Sequence, residues 1–469
     1  MQNGVIAAIS TPPGKGGVAV IRLSGEGAVA LAESAFFPIS GKLLSSYPAR
    51  MQVYGRIIEG GEVLDDCLCC RFEAGSSYTG EETVELSIHG GVLLSERVLS
   101  LLFSLGASPA EPGEFTRTAF INGRLTLTEV EAIGDLLEAK SDEQLRLASE
   151  TSRERLKNKI ESARRRLEML LGSIYARIDY PEEDLGELSD GEIIAELTAI
   201  GGELDALIAS YKTGRAIKEG ISTALVGAPN AGKSTLYNLL VGEEAAIVTD
   251  RPGTTRDLLE RVCPLGRVLL RLTDTAGVRG EGAADPVERI GIERTHRRIG
   301  ESELIIALFD LAQDPASDGE IIDAIKGRSS TRIALFTKCD KGGMPDAERL
   351  LKERFGEDAE LFSASLAVSA LCEPEATLES IKQLVERLFT DEKISTSTSA
   401  IVSSARQHAS LTSAKELIDS ALRAFGQGAP ADCASSDIEL CLARLGEVDG
   451  RAVSEAVVRD IFSRFCVGK

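Results

Sequence analysis

The chain reads as a multidomain protein of α/β plus all-α class, in which an α/β domain is inserted between two sequence halves of a helical domain. Three observations predict this. Gly227–Ser234 reads G-A-P-N-A-G-K-S, the spacing G-x-x-x-x-G-K-[ST], between an apolar strand-like run at Ile221–Val226 and a helix-like segment at Ser234–Leu240. Residues before about 120 alternate strand and helix signals, and helical periodicity flanks the phosphate loop on both sides. At 469 residues there is room for two or three domains, each with its own core. The resulting divisions are an N-terminal domain at 1–120, a first helical half at 121–216, the nucleotide domain at 217–385 and a second helical half at 386–469. Insertion at a surface turn is tolerated because domain termini usually lie close together.

Apolar residues make up 43% and charged residues 27% of the chain. No apolar run approaches the roughly 20 residues of a membrane span, so no membrane association is expected. The start, Met-Gln-Asn-Gly, lacks the basic and apolar regions of a signal peptide, and the expected location is the cytoplasm. The nine cysteines follow no disulfide framework and read as reduced thiols. Cys67-Leu-Cys-Cys70 has C-x-x-C spacing, but it lies in an apolar run with no second pair, which favours a core strand over zinc. With three histidines, His89, His296 and His408, a histidine-based metal centre is not expected. A net charge of −21 argues against nucleic-acid binding over the whole surface; RNA would need a local basic patch or a presenting partner.

In chain order, Gly4–Ser10 and Val18–Leu23 read as strands and Ala28–Phe36 as a helix. Met51–Ile58, Cys67–Phe72 and Thr83–Ile88 are strand-like, and Gly91–Leu105 is helical. Thr11–Gly17, Thr79–Glu81, His89–Gly91 and Pro112–Thr116 are turn signals. From Leu127 to about Ile178 there is no proline, and Leu156, Ile160, Ala163, Leu167, Leu170, Ile174 and Ile178 mark an amphipathic helix that Pro181–Asp184 ends. Ile194, Leu197, Ile200, Leu204, Leu207 and Tyr211 form a second periodic segment, and Gly214–Gly220 reads as a linker into the phosphate-loop strand. Periodicity returns at Leu411, Ala414, Leu417, Ile418, Leu422 and Phe425. Ser436-Asp-Ile-Glu439 has capping-box spacing ahead of a helix ended by Gly450, and Ser454–Phe465 is a last short helix.

A glycine-rich turn between strand and helix aims backbone N–H groups at an anion. Asn230, Ala231, Gly232, Lys233, Ser234 and Thr235 would form that cradle, with Lys233 on the outer phosphates and Ser234 on a magnesium ion. Further pieces follow in a fixed order. In Gly253-Thr-Thr-Arg-Asp257, Thr255 or Thr254 would place a hydroxyl on the magnesium. In Asp274-Thr-Ala-Gly277, Asp274 would lie behind the direct ligands of the ion and the Gly277 N–H would meet the γ-phosphate, with Thr275 and Ala276 between them. Arg332–Asp340 is a buried strand ending in T-K-x-D. Asp340 can accept from guanine N1–H and the guanine amino group together, which adenine cannot offer, and the Lys338 stem can cover the base. Val368-Ser369-Ala370 adds backbone donors toward the guanine oxygen. This series resembles the translation-factor-type GTPases with a Ras-like P-loop G domain. Asp340 with an intact Lys233 disfavours an ATPase or a nucleotide-free relic. Two departures stand out. Thr337 replaces the usual asparagine and cannot make all of its amide contacts, and Val278 stands where Ras-like GTPases carry a water-orienting glutamine.

The resemblance narrows when the ends are included. Gly16-Gly-Val18 leading to Arg22-Leu-Ser-Gly25, Thr79-Gly-Glu81 with Glu85 and His89-Gly-Gly91, Pro112–Thr116 with Asn122-Gly-Arg124, Val287–Ile292 and Phe465-Cys-Val-Gly-Lys469 are similar to the MnmE (TrmE) tRNA-modification GTPases over the full chain. That resemblance implies an N-terminal tetrahydrofolate-binding fold that forms a constitutive homodimer, with Arg22, Glu85, Arg124 and Lys469 at the folate positions; Arg124 replaces the lysine of many members. It implies a potassium-activated GTPase that acts with a flavin (FAD)-dependent partner, as a heterotetramer or larger. Together they install an aminomethyl-type (carboxymethylaminomethyl) group at carbon 5 of the tRNA wobble uridine, with methylene- or formyl-tetrahydrofolate as carbon source. It also implies a potassium ion in place of an arginine finger, held by Asn230, Thr249, Arg251 and Thr254, the last three within the nucleotide-binding loop that also holds Asp250, Pro252 and Gly253. Glu288 matches the water-positioning acid, and Cys466 would reach toward the folate site, as a covalent or a positioning thiol. Without the resemblance, Glu288 reads as a solvated helix residue and Cys466 as a core cysteine. The alternative function is a GTP-switched ribosome-assembly factor, which would normally append an RNA module or a second phosphate loop; neither is present. A third reading makes the N-terminal domain a folate enzyme with GTPase regulation attached.

Overall fold

The computed structural model describes residues 4–179, 188–242, 260–273, 300–339, 345–427, 431–448, 450, 461–462, 465 and 467–468. The architecture is multidomain α/β plus all-α, and the chain divides into two compact units, Met1–Glu138 with Leu442–Lys469, and Ala139–Cys441.

The first unit is built on seven strands, β1 (Ile6–Ile9), β2 (Val18–Ser24), β3 (Phe36–Pro38), β4 (Gln52–Glu59), β5 (Glu62–Phe72), β6 (Thr83–His89) and β7 (Ser108–Pro109). Their order is β3-β4-β5-β6-β2-β1-β7, antiparallel except for the parallel pair β1/β7. Alternation places Ile21, Leu23, Cys67, Cys69, Leu86 and Ile88 on one buried face, covered by the helices Ala28–Glu33 and Val92–Ser104. Each fully buried aliphatic chain there stabilises the unit by roughly 1.5–3 kcal/mol. Cys67 and Cys69 are thus core strand residues, and burial, with Asp65 and Asp66 beside it, pushes the Cys67 thiol up to about 12. The opposite face carries one cross-strand row in which Ala8 faces Arg22, Arg22 faces Glu85 and Glu85 faces Cys70. The helix read over Ala28–Phe36 stops at Glu33 instead. Phe36 starts an edge strand, and its ring packs so closely over Gly55 that a Cβ there would lie 2.4 Å from Phe36 Cζ.

The second unit holds β8 (Ile221–Gly227), β9 (Glu260–Leu265), β10 (Val268–Thr273), β11 (Leu304–Asp310), β12 (Thr331–Thr337) and β13 (Ala364–Ala367), in the order β13-β12-β11-β8-β10-β9. All pairs are parallel except the β9/β10 hairpin. Helices Lys233–Val241 and Pro374–Phe389 supply Leu236, Leu240, Ile381 and Leu384 to one core; Gly319–Ile325 and Ala347–Phe355 supply Ile321, Ile322, Ile325 and Leu351 to another. A parallel sheet buried on both faces leaves its carboxyl ends for ligands.

The remaining helices of this unit include Glu150–Asp179, Asp190–Lys218 and Ala405–Gly426, the last two packed along each other. Ser189 and Glu192 cap Asp190–Lys218 reciprocally, and Arg166 binds both Glu196 and Glu203 across to it. Among the described residues no helix is long and apolar enough to cross a membrane.

Several readings of the helical segments need correction. The proline-free run from Leu127 is not continuous: it forms Leu127–Glu138, Asp142–Leu147 and Glu150–Asp179, with Ser141 accepting from the Gln144 N–H as a cap. Ile178 does not join the buried stripe and is 46% exposed. Ser436 lies inside the helix Ala431–Val448, which starts five residues before it, so its spacing to Glu439 is no cap. The last helix read at Ser454–Phe465 lies largely outside the described residues. Gly214–Gly220 is not a linker, because the helix runs on to Lys218 and only Glu219 and Gly220 precede β8. Gly214 is there for contact: a Cβ would lie 2.1 Å from the Val402 carbonyl oxygen. Gly214→Ala should therefore destabilise the chain by about 2 kcal/mol, although alanine is the better helix former by about 1 kcal/mol. A urea midpoint that rises in this variant would show that the Ile401–Val402 segment moves away there without cost.

Candidate functional site

The phosphate loop sits where β8 ends. Gly227 must be glycine, since a Cβ would lie 2.8 Å from the Leu308 carbonyl oxygen and force β8 off β11. Asn230 turns the chain with φ 64°, Gly232 adopts φ 95°, and the helix starts at Lys233. The Lys233 ammonium folds over the loop and donates to the Gly227 and Ala228 carbonyls at 2.6 and 2.7 Å. Burial pulls its pKa below the usual lysine value. Weak carbonyl partners around a partly desolvated ammonium favour exchange for a phosphate oxygen, which bonds it more strongly. Ser234 and Thr235 lie on the first helical turn, while Ala231 is buried beneath the loop.

The neighbouring wall is built from the ends of β12 and β13. The Thr337 hydroxyl donates to the Ala231 carbonyl at 2.9 Å, tying the T-K-x-D strand to the phosphate loop. A cavity of about 200 Å³ opens beside it, lined by Gly232, Thr235, Leu236, Thr337, Lys338, Val368 and Ala370. Ser369 is buried next to it, and the Cys339 N–H donates to the Val368 carbonyl at 3.4 Å. Lys338 has φ 62° and its ammonium reaches Asp310 at 2.6 Å. Sequence reasoning passed over Asp310. The available signal was an acid closing the otherwise apolar run Leu304-Ile-Ile-Ala-Leu-Phe-Asp310.

In the first unit the structure brings Arg22 and Glu85 together. Arg22 Nε and its terminal amine both lie 2.9 Å from Glu85 Oε1. The guanidinium also lies over the rings of Tyr78 and Phe115, 5.3 and 5.6 Å from their centroids. Two residues on, Ser24 shares a 2.7 Å hydrogen bond with Thr79, whose carbonyl accepts from the Asn122 amide at 2.8 Å. The Arg124 stem packs over Gly80, where a Cβ would lie 3.2 Å from Arg124 Cγ. The carboxyl-terminal tail joins this unit as well: Val467 bridges to Pro112, and Gly468 fits so closely on β1 that a Cβ would lie 2.2 Å from the Ile9 carbonyl oxygen. Thr249, Asp250, Arg251, Pro252, Gly253, Thr254, Thr255, Asp274, Thr275, Ala276, Gly277, Glu288, Asp340, Cys466 and Lys469 lie outside the described residues.

Residues 5–124 match the family described as the GTP-binding protein TrmE N-terminus, and residues 127–466 match the MnmE helical domain. Over its whole length the chain is similar to proteins named tRNA modification GTPase MnmE. It is 36% identical to that of Acetivibrio thermocellus, with 100% of both chains covered. It is 37% identical to that of Moorella thermoacetica, again with 100% of both covered. It is 35% identical to that of Bacillus subtilis, with 99% of each covered. A strand–loop–helix phosphate cradle tied to a T-K-x-D strand, matched end to end at this identity, places the chain in the MnmE (TrmE) family of tRNA modification GTPases.

Proposed function

We propose that the protein hydrolyses GTP and uses the cycle to modify the wobble uridine of tRNA in the cytoplasm, as a homodimer working with a flavin-dependent partner. The observation that carries this reading is the end-to-end relation to proteins named tRNA modification GTPase MnmE. The nucleotide domain at 217–385 would bind GTP at the phosphate loop, with the guanine in the cavity at Thr337 and Lys338. Lys233 would neutralise the outer phosphates, and Ser234 and Thr255 would hold Mg2+. Ser234 fits this role, standing at the helix start where the loop opens.

Asn230, with Thr249, Arg251 and Thr254, would hold K+, and the left-handed turn at Asn230 leaves its side chain at the exposed rim of the loop. A bound monovalent cation supplies fixed positive charge where charge develops in the transition state. Glu288 would position the water, since Val278 cannot. GTP turnover should then be at least about tenfold faster in potassium than in sodium at equal ionic strength, and Asn230→Ala should lose that response. Equal rates in the two salts would remove the potassium site.

The row at Arg22 and Glu85 fits a reduced folate: a guanidinium with donors to spare, close to two aromatic rings, suits a ligand that carries both carboxylates and a flat ring. Arg124 and Lys469 would complete the set, and Cys466, which directly precedes the docked Val467 in the chain, would work beside it. Tetrahydrofolate would supply the one-carbon unit. Arg22→Ala should weaken folate binding by about tenfold or more, as loss of a charge-assisted contact does, and leave GTP hydrolysis near wild type. Calorimetry with a reduced folate measures the first and phosphate release the second. The function itself is tested by mass spectrometry of wobble-uridine nucleosides from a deletion strain carrying this gene: absence of the modified nucleoside would overturn it.

A further inference from the structure

We propose that Asp310 is a positioning residue of the nucleotide site, acting through Lys338; the proposal rests on the guanine-nucleotide reading of that site. Asp310 closes β11, and every residue of that strand is buried. Its side chain is 2% exposed, a place where a carboxylate persists only with strong partners. Two of its partners fix its geometry. Its Oδ1 accepts from the Ala312 N–H at 2.9 Å, and its Oδ2 accepts from Lys338 Nζ at 2.6 Å.

The first bond fixes the carboxylate from its own side of the sheet, so the anchor belongs to the strand and not to the lysine. The second reaches across the β11/β12 register, in which Asp310 faces Thr337. Lys338 is the next residue, and it leaves the strand with φ 62°, a left-handed conformation that a side chain rarely adopts. Lys338 lines the same cavity as Thr337 and Val368. With the backbone fixed at one end and the ammonium fixed by Asp310 at the other, the methylene stem stands as a finished wall before a base arrives. A free lysine would have to be ordered when the ligand binds, at a cost in affinity. The buried acid therefore acts on the base without touching it.

The test is the rate of GDP release from the full-length protein, read with a fluorescent GDP analogue, for wild type, Asp310→Asn, Lys338→Met and the double variant. In Asp310→Asn the amide oxygen would still accept from Ala312, and in Lys338→Met the thioether chain would keep an apolar stem, so both variants break the same ion pair from opposite ends. Each single variant should release GDP roughly tenfold faster, the usual worth of a hydrogen bond to a charged group. The double variant should be no faster than Lys338→Met alone, because the two residues act as one unit. If the effects multiply, Asp310 supports the fold independently and the proposal fails. Release at the wild-type rate in either single variant also overturns it. Should wild type not bind the GDP analogue at all, the guanine reading falls and takes the proposal with it; binding by wild type with unaltered release in the variants removes the proposal alone. Should Asp310→Asn not fold, Lys338→Met probes the same contact from its more exposed partner.

Discussion

Lys233→Ala is expected to lower kcat/KM for GTP by about a thousandfold while moving stability by less than about 1 kcal/mol. The two halves of this result come from different atoms. In the free protein the ammonium bonds the carbonyls of Gly227 and Ala228, in a loop that is part-exposed, so water can replace it there. In the transition state it would face charge on the transferring phosphoryl group from a partly desolvated site, where no mobile solvent substitutes for it. Lys233→Arg should not rescue the rate, because a planar guanidinium does not reproduce a point charge in a cradle of this size. Steady-state hydrolysis over a range of GTP concentrations and a melting curve check both halves. A rate within about tenfold of wild type would move the phosphate contact elsewhere.

Arg354→Ala should cost about 3–5 kcal/mol of stability. Arg354 Nε lies 2.6 Å from Asp318 Oδ2, with side chains only 7 and 6% exposed. The truncation leaves Asp318 charged and unpaired beneath the surface, and that penalty exceeds the worth of the pair itself. Replacing both partners by apolar residues of similar volume should therefore recover most of the loss. Urea denaturation followed by circular dichroism measures both variants, since the chain has no tryptophan to report. A single variant within about 1 kcal/mol of wild type would mean that Asp318 finds another donor.

Local pattern made several elements legible and left others hidden. Thr83–Ile88 was readable as a strand because its apolar residues alternate, and β6 occupies Thr83–His89. Ala28–Phe36 misled because nothing in that apolar run marks where a helix stops and an edge strand starts; that depends on Gly55 far along the chain. Gly214 misled in the opposite way. Glycine in a helical pattern reads as a break, yet here it admits the Val402 backbone. In the site, the glycine turn at Gly227–Ser234 is local and could be read directly. The pairing of Arg22 with Glu85 could not, because only the strand register sets those residues opposite each other. Thr337 looked like a deficit, since sequence shows which amide contacts threonine lacks but not that its hydroxyl reaches Ala231. The Asp310–Lys338 contact spans 28 residues and needs the parallel register to be seen.

The direct passage from the helix Asp190–Lys218 into β8 gives the unit the proportions of a lever. At about 1.5 Å per residue, its 29 residues form an arm of roughly 43 Å, and the pivot is the pair Glu219–Gly220, next to the strand that carries the phosphate loop. Tilting such an arm by about 10° sweeps its far end through roughly 7 Å, while the phosphate loop itself shifts far less. The helix is braced about two turns before that pair: Thr213 accepts from the Asp391 N–H, Ser210 from the Val402 N–H, and Lys212 donates to the Leu388 carbonyl. Were the helix to tilt as a rigid rod, a small displacement at the strand end would become a large one at the far end, in proportion to the arm lengths.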